Sequence, residues 1–364
     1  MSDLSAYIHV PFCRRKCNYC DFYSAPPKNG AVSSYVRALC GQIRASAARG
    51  VSLKTVYFGG GTPSLLSERE FEAVCDALRE TFDLSLCEEF TVECNPESVT
   101  LPLAQAWRRC GANRVSMGIQ SFSDAHLARL GRLHTAEKAE ESYGILRDAG
   151  LENISIDLMA ALPEQTEEEF CADLRKALSL NPQHLSVYLL KIEENSAFGR
   201  TGVAEADEEL QRSFYLSAHK ILTDGGYEHY EISNFARHGF RARHNNVYWQ
   251  GGEYLAFGAG ASGFYRSVRY SIPADTALFC DKCGMVTPIE EETVDGKEAA
   301  REAVFLGLRL SDGIGRDLIP QGKEDFVAML CDRGLARCTE DRFALTAEGF
   351  LVSDYVISEL MPDR

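Results

Sequence analysis

Short apolar runs and longer helix-like stretches alternate through the first half of the chain, and this alternation restricts the fold more than any other feature. Strands are expected at residues 6–10, 55–58, 89–93, 114–117, 153–158 and 184–190, and helices over 33–49, 67–82, 101–110, 136–149 and 167–180. Two helix starts carry reciprocal capping patterns, Ser67 with Glu70 and Thr166 with Glu169. Strands separated by whole helices pair in parallel, because a parallel partner needs a crossover of about that length. The expected fold class is α/β, with a six-strand parallel sheet that is open or curled into a partial barrel. In such sheets functional groups collect at the C-terminal ends of the strands.

Directly after the first strand stand Cys13, Cys17 and Cys20, at C-x3-C-x2-C spacing. A [4Fe–4S] cube is normally held by four thiolates. Three close ones can hold three irons and leave the fourth open to another ligand. The intervening Arg14, Arg15 and Lys16 would favour thiolates. Part of a zinc site, or chance clustering among thirteen cysteines, are the alternatives.

Composition narrows the function classes. With 45% hydrophobic and 25% charged residues, the 364-residue chain is ordinarily globular. A net charge of −15 argues against broad nucleic-acid binding. No apolar run approaches the ~18 residues of a membrane span. Residues 1–4 are polar and lead straight into the first strand, so no signal peptide is expected. The remaining cysteines are scattered, so a cytoplasmic protein with reduced thiols is expected.

Polar groups stand at the strand ends. The second strand runs into Gly59-Gly60-Gly61-Thr62-Pro63, which allows close backbone approach to a ligand or simply makes a tight turn. The third ends at Glu93, the fourth at Gln120, and the fifth contains Asp157; surface salt bridges are the bland alternative. Further on, Arg243-His244-Asn245-Asn246-Val247-Tyr248-Trp249 packs an imidazole, two amides and two aromatics together. That set suits either a haem, whose iron takes neutral histidine, or a turn with core aromatics. Cys280 and Cys283 form a C-x2-C without a partner pair and read as incidental, ahead of an acidic linker at 290–295. His9 reads as a structural residue behind the cysteine loop.

The cysteine motif, with Tyr7-Ile8-His9-Val10-Pro11-Phe12 before it and Cys20-Asp21-Phe22 at its end, resembles the radical S-adenosylmethionine (SAM) enzymes, specifically the coproporphyrinogen dehydrogenase branch. The segment 157–166 resembles a signature of that branch, with Ala161 where glycine is expected. The resemblance implies a partial (β/α)6 TIM-like barrel of the radical SAM type. It implies that Cys13, Cys17 and Cys20 hold a [4Fe–4S] cluster. It implies that Tyr7, Tyr19, Gly60, Gly61, Thr62, Glu93, Gln120, Arg132 and Asp157 contact SAM.

His-Asn-x-x-Tyr-Trp resembles a hallmark of the HemW-type haem chaperones within the same branch. It implies haem binding at His244, Asn245, Tyr248 and Trp249, and delivery to haem-requiring, respiratory proteins. The alternative is an oxygen-independent coproporphyrinogen III dehydrogenase, in which a SAM-derived radical drives oxidative decarboxylation. Phe22 stands where those dehydrogenases carry a fourth cysteine, and only twelve residues precede Cys13, against a long extension in the enzymes. Both differences favour the chaperone branch. The expected organisation is a radical SAM barrel over 1–230, a connecting region with the haem motif over 231–297, and a small α+β winged-helix-like domain over 298–364. Haem, haem-accepting proteins, a homodimer partner and transient contact with membrane haem proteins are the expected partners.

Overall fold

All six expected strands are present in the computed structural model, which describes residues 4–362. They are β1 (Leu4–Val10), β2 (Leu53–Gly60), β3 (Glu89–Cys94), β4 (Arg114–Gln120), β5 (Asn153–Ala160) and β6 (His184–Leu189). They lie in chain order and every neighbouring pair is parallel. The helices between them are α1 (Ala31–Arg44), α2 (Glu68–Thr81), α3 (Leu101–Arg109), α4 (Asp124–Leu130), α5 (Ala136–Asp148) and α6 (Glu167–Ser179). Both capping boxes form, at the starts of α2 and α6. Helix α4 was not expected: at seven residues it is too short to show a periodicity.

Alternation along the strands sorts the two faces of the sheet. Ile8, Val56, Phe58, Val92, Val115, Ile154 and Ile156 enter the core beneath the helices. The opposite face is polar. It carries Ser5, Thr55, Thr91, Arg114, Ser116, Ser155 and His184, all buried. These groups bond across the strands: Thr55 to Ser5 at 2.8 Å, Arg114 to Thr91 at 3.5 Å and Ser116 to Asp157 at 3.2 Å. The result is a partial barrel with an apolar outside and a hydrogen-bonded lining.

Beyond β6 the chain forms α7 (Ala197–Thr201) and then α8 (Glu208–Asp224). Strands β7 (Glu228–Glu231) and β8 (Asn234–Ala236) extend the sheet past β6 in antiparallel fashion. Helix α9 (Arg243–Trp249) carries the His-Asn-x-x-Tyr-Trp block, so the block is helical rather than a turn. Strand β9 (Tyr254–Phe257) pairs parallel to β1, and β10 (Ser262–Tyr265) and β11 (Val268–Ser271) continue outward. Cys280 lies on α10 (Thr276–Asp281), with Cys283 just beyond. The acidic stretch expected as a linker is instead β12 (Ile289–Thr293), the outermost strand of the twelve-stranded sheet. Its glutamates face solvent, and carboxylates along an edge oppose pairing with another chain.

The C-terminal part is α11 (Gly296–Gly307), β13 (Ile314–Gly315), α12 (Glu324–Asp332), β14 (Ala336–Cys338), β15 (Arg342–Leu345), α13 (Ala347–Phe350) and α14 (Ser353–Leu360). Val304, Leu308, Leu330, Phe343, Val356 and Leu360 form a second apolar core. Helices over a small antiparallel sheet give the winged-helix-like form. The closing helical segment breaks at Leu351 and Val352 into α13 and α14.

Candidate functional site

Two groups of polar residues occupy opposite ends of the barrel. At the C-terminal mouth, residues 13–20 form a loop after β1 in which Cys20 N–H donates to Cys17 O at 3.2 Å. The loop is pinned from the side. Asn18 N–H donates to Leu130 O at 2.9 Å, and Arg15 donates to Gly131 O at 2.7 Å. Lys16 donates to Phe22 O at 3.0 Å. Arg15 and Lys16 therefore hold backbone, and Arg132 donates from Nη1 to Cys17 Sγ at 3.5 Å. Thr62 donates to Cys13 Sγ at 3.4 Å. Burial outweighs nearby Lys16 at Cys20 and pushes its thiol up. Among the described residues no three His, Cys, Asp or Glu side chains converge on a point that would hold a single ion. A cube bonds each thiolate to a different iron, so its ligands stand wider apart than those of one ion.

The glycine turn meets this loop. Gly60 has φ +105°, and a Cβ there would strike the His9 ring. A Cβ on Gly61 would meet Phe12 O at 2.6 Å. Gly61 N–H donates to Val10 O at 2.9 Å. Only glycine lets the end of β2 close against the cysteine loop. Glu93 accepts from Tyr57 Oη at 2.6 Å and from Gly60 N–H at 3.2 Å. Burial, aided by nearby Asp157, raises its carboxyl to about 7. Asp157 is raised by burial against the hydroxyls of Ser186, Ser116 and Ser155. Tyr19 lies half-buried among Arg132, Cys17 and Cys20, and Gln120 sits at φ +73° where the β4–β5 register shifts. Tyr7 donates to or accepts from His9 Nδ1 at 3.0 Å and stacks on Tyr57.

Asn95 joins the mouth without having been expected. Its Nδ2 donates to Thr62 Oγ1 at 3.1 Å and its Oδ1 accepts from Arg132 Nη2 at 2.8 Å, tying the glycine turn to the arginine. Its only signal was a position just after β3. Arg132 Nε is buried with no partner among the described residues.

At the N-terminal base, α9 plugs the barrel. His244 is fully buried and stacks on Tyr57 at 5.0 Å. Glu89 accepts from the N–H groups of Arg243 at 2.8 Å and His244 at 2.9 Å, capping the helix from the start of β3. Thr55 Oγ1 lies 2.7 Å from His244 Nδ1 and donates its own hydrogen to Ser5. Thr55 must then accept from Nδ1–H. That assigns the tautomer: Nε2 bears the lone pair and accepts from Tyr248 Oη at 2.7 Å. Burial, with nearby Arg114, drops the imidazole to about 3, so it is neutral. Trp249 lies under Arg309 at 4.5 Å, and Arg309 pairs with buried Glu231 at 3.0 Å. Asn245 is half-buried beside them on α9.

Comparison with known proteins follows this division. The Radical SAM superfamily model matches residues 7–177, which take in the cysteine loop and most of the barrel. The "Heme chaperone HemW" of Lactococcus lactis is 34% identical over 99% of this chain and 97% of its own. That of Escherichia coli is 40% identical over 71% and 70%. The chain belongs to the HemW family. A mouse relative, "Radical S-adenosyl methionine domain-containing protein 1, mitochondrial", is 38% identical over 96% of this chain and 82% of its own. Among solved structures, the coproporphyrinogen III oxidase HemN of E. coli superposes with a TM-score of 0.85 at 23% identity, covering 98% of this chain and 89% of that one, and so shares the fold. Phe22, where the dehydrogenases are expected to carry a fourth cysteine, is 71% exposed. Membership of the radical SAM superfamily implies a [4Fe–4S] cluster and SAM, and the residues at the mouth fit both: three thiols, a glycine turn and a buried arginine with an open donor.

Proposed function

We propose that this HemW-family protein is a haem chaperone that takes haem on His244 and hands it to haem-requiring, respiratory proteins. It retains a [4Fe–4S] cluster on Cys13, Cys17 and Cys20. The observation that carries the reading is the state of His244: neutral, with Nδ1 fixed by Thr55 and Nε2 presenting a lone pair held only by Tyr248. A metal-ligating histidine typically has its second nitrogen anchored in this way. Asn245, Tyr248 and Trp249 complete the haem-binding set. Because the imidazole is enclosed, haem enters only after α9 moves out of the base.

At the mouth, Arg132 and the Gly60–Gly61–Thr62 turn hold the amino-acid end of SAM, while Tyr7, Tyr19, Glu93, Gln120 and Asp157 line the remainder. When bound, the cluster supplies an electron to the SAM sulfonium. The chain's own part would be to hold SAM at the mouth, with Arg132 taking the carboxylate in a charge-assisted bond.

The working division is a radical SAM barrel (1–230), a connecting region with the haem motif (231–297) and the C-terminal module (298–364). The second apolar core, formed mostly after residue 303 but taking in Tyr215 of α8, supports the last boundary, whereas β9–β12 of the connecting region continue the barrel's own sheet. A cytoplasmic location, a homodimer, passing contact with membrane haem proteins and no nucleic-acid partner belong to the same reading. Among the described residues no helix is long and apolar enough to cross a membrane.

The test uses anaerobically reconstituted protein, titrated with haem at the Soret band and incubated in parallel with coproporphyrinogen III, SAM and a reductant. Stoichiometric haem binding that weakens in His244→Ala, with the cluster absorbance retained, is the expected result. Cys13/Cys17/Cys20→Ala should lose the cluster. Turnover of coproporphyrinogen would overturn the chaperone reading in favour of the dehydrogenase.

A further inference from the structure

Below α9 the base of the barrel opens into a cavity of about 660 Å³. That is the size of ordinary ligand sites, roughly 300–1,000 Å³. Its walls are the loops leading into β3, β4 and β5 and the segment preceding α9. Three arginines line it, Arg108, Arg241 and Arg243, together with the half-exposed ring of Phe240. The base of such a barrel usually serves stability alone, and three guanidinium groups round a cavity are not what stability asks for.

The charges differ in how far they are committed. Arg243 is paired with Glu88, and Arg241 with Glu228 and Asp312. Glu89 spends its carboxylate on the N–H groups of α9. Arg108 has no carboxylate partner among the described residues; its one bond runs from Nη1 to Ala149 O at 3.3 Å, with the guanidinium lying across Gly150. Asn153, also on the wall, has a buried Oδ1 with no partner. Glu152 is the rim carboxylate without an ion pair among the described residues.

We propose that this cavity receives the propionate edge of haem, and that Arg108 is the cation that takes a propionate. The inference rests on the haem reading of His244 and deepens it by naming the side of entry. Haem is an apolar macrocycle with two carboxylates on one edge. An arginine fork matches a carboxylate in two parallel hydrogen bonds. Arg243 adjoins His244 in sequence and Glu89 touches both its backbone and the cavity, so withdrawing α9 from the base brings the imidazole toward this space.

The experiment compares haem with its dimethyl ester, which keeps the iron and the macrocycle but has no carboxylates. Wild-type protein should bind haem more tightly than the ester. Arg108→Ala should weaken haem roughly tenfold or more and leave the ester unchanged, Arg108→Lys should recover part of the loss, and Glu152→Gln should tighten haem alone. Arg108 is exposed, so the fold is not at stake in these variants. Equal affinity for haem in wild type and Arg108→Ala, with His244→Ala still weakening it, would overturn this inference and leave the haem reading standing. The inference also falls if Arg108→Ala weakens haem and ester alike. A wild-type protein that takes up neither compound removes the haem reading itself.

Discussion

Replacing Tyr248 by phenylalanine should make the protein bind haem more tightly. In the haem-free state Tyr248 Oη donates to His244 Nε2 at 2.7 Å, and that nitrogen has no other partner among the described residues. On the proposed ligation by His244, iron and the tyrosine hydroxyl compete for one lone pair. Phenylalanine keeps the ring contacts, 5.1 Å to His244 and 4.6 Å to Tyr254, while removing the hydroxyl. A buried acceptor left unfilled costs about 1–3 kcal/mol. The cost falls on the closed, haem-free state alone, so it appears as a gain in affinity of roughly 5- to 150-fold. The assay is a Soret titration of both proteins under anaerobic conditions, paired with a transfer assay to apo-myoglobin, where the variant should release haem more slowly. Unchanged affinity would mean that Tyr248 and iron do not share Nε2. Weaker binding would mean that the hydroxyl contacts the haem, and the competition argument would fail.

Gly60→Ala should destabilise the fold by about 1–3 kcal/mol, because it combines a strained φ with a Cβ against the His9 ring; a lowered denaturation midpoint and poor cluster reconstitution would register it. Asn95→Ala should weaken SAM about fivefold, the value of one or two ordinary hydrogen bonds, since it frees both Thr62 and Arg132; equilibrium dialysis with the cluster intact checks this. The His229 imidazole is lowered to about 4, chiefly by burial, and stacks on Phe235 at 4.1 Å and against Phe350 of α13. The unfolded chain takes up that proton near pH 6.5 and the folded one does not until about 4. Stability is thus complete above 6.5 and should fall by about 3 kcal/mol in total as pH drops to 4. Denaturant titrations at pH 7 and 4.5 should show the loss in wild type and a smaller one in His229→Gln.

The barrel was legible because each strand is followed by a helix long enough to carry its own period. The elements that escaped are short or depend on distant partners. Helices α4 and α9 have seven residues each, under two turns. Strand β9 pairs with β1 across some 250 residues, Ser5 against Tyr254, and nothing local in a four-residue run announces that. An acidic run such as 289–293 reads as a linker because its pairing partner, not its own propensity, makes it a strand. Ala161, where glycine was expected, does adopt φ +58°, so the expectation concerned a real left-handed position. At the candidate site the residue types were readable and their attachments were not. That Thr55 fixes His244, and that Glu89 caps α9, depends on contacts spanning 189 and 155 residues.

The burial of His244 bears on what a haem carrier requires. A protein that must give its cargo away cannot let the iron–imidazole bond alone decide affinity. Here α9 is held by two hydrogen bonds to the Glu89 carboxylate, by the pair between Arg243 and Glu88, and by Arg309 over Trp249. Bonds to a carboxylate contribute about 1.5–3 kcal/mol each, an exposed ion pair little, and a cation–π contact about 0.5–1 kcal/mol. With an opening cost of about 3 kcal/mol, only about one molecule in 150 would be binding-competent at a given moment, and the apparent affinity would be lower by that factor. On this reading the same closure that weakens capture drives release, because the base re-forms its own bonds as haem leaves. The Arg309–Trp249 contact, with Arg309 anchored to Glu231, makes the end of α11 part of that closure. The C-terminal module is thereby coupled to α9 through Arg309.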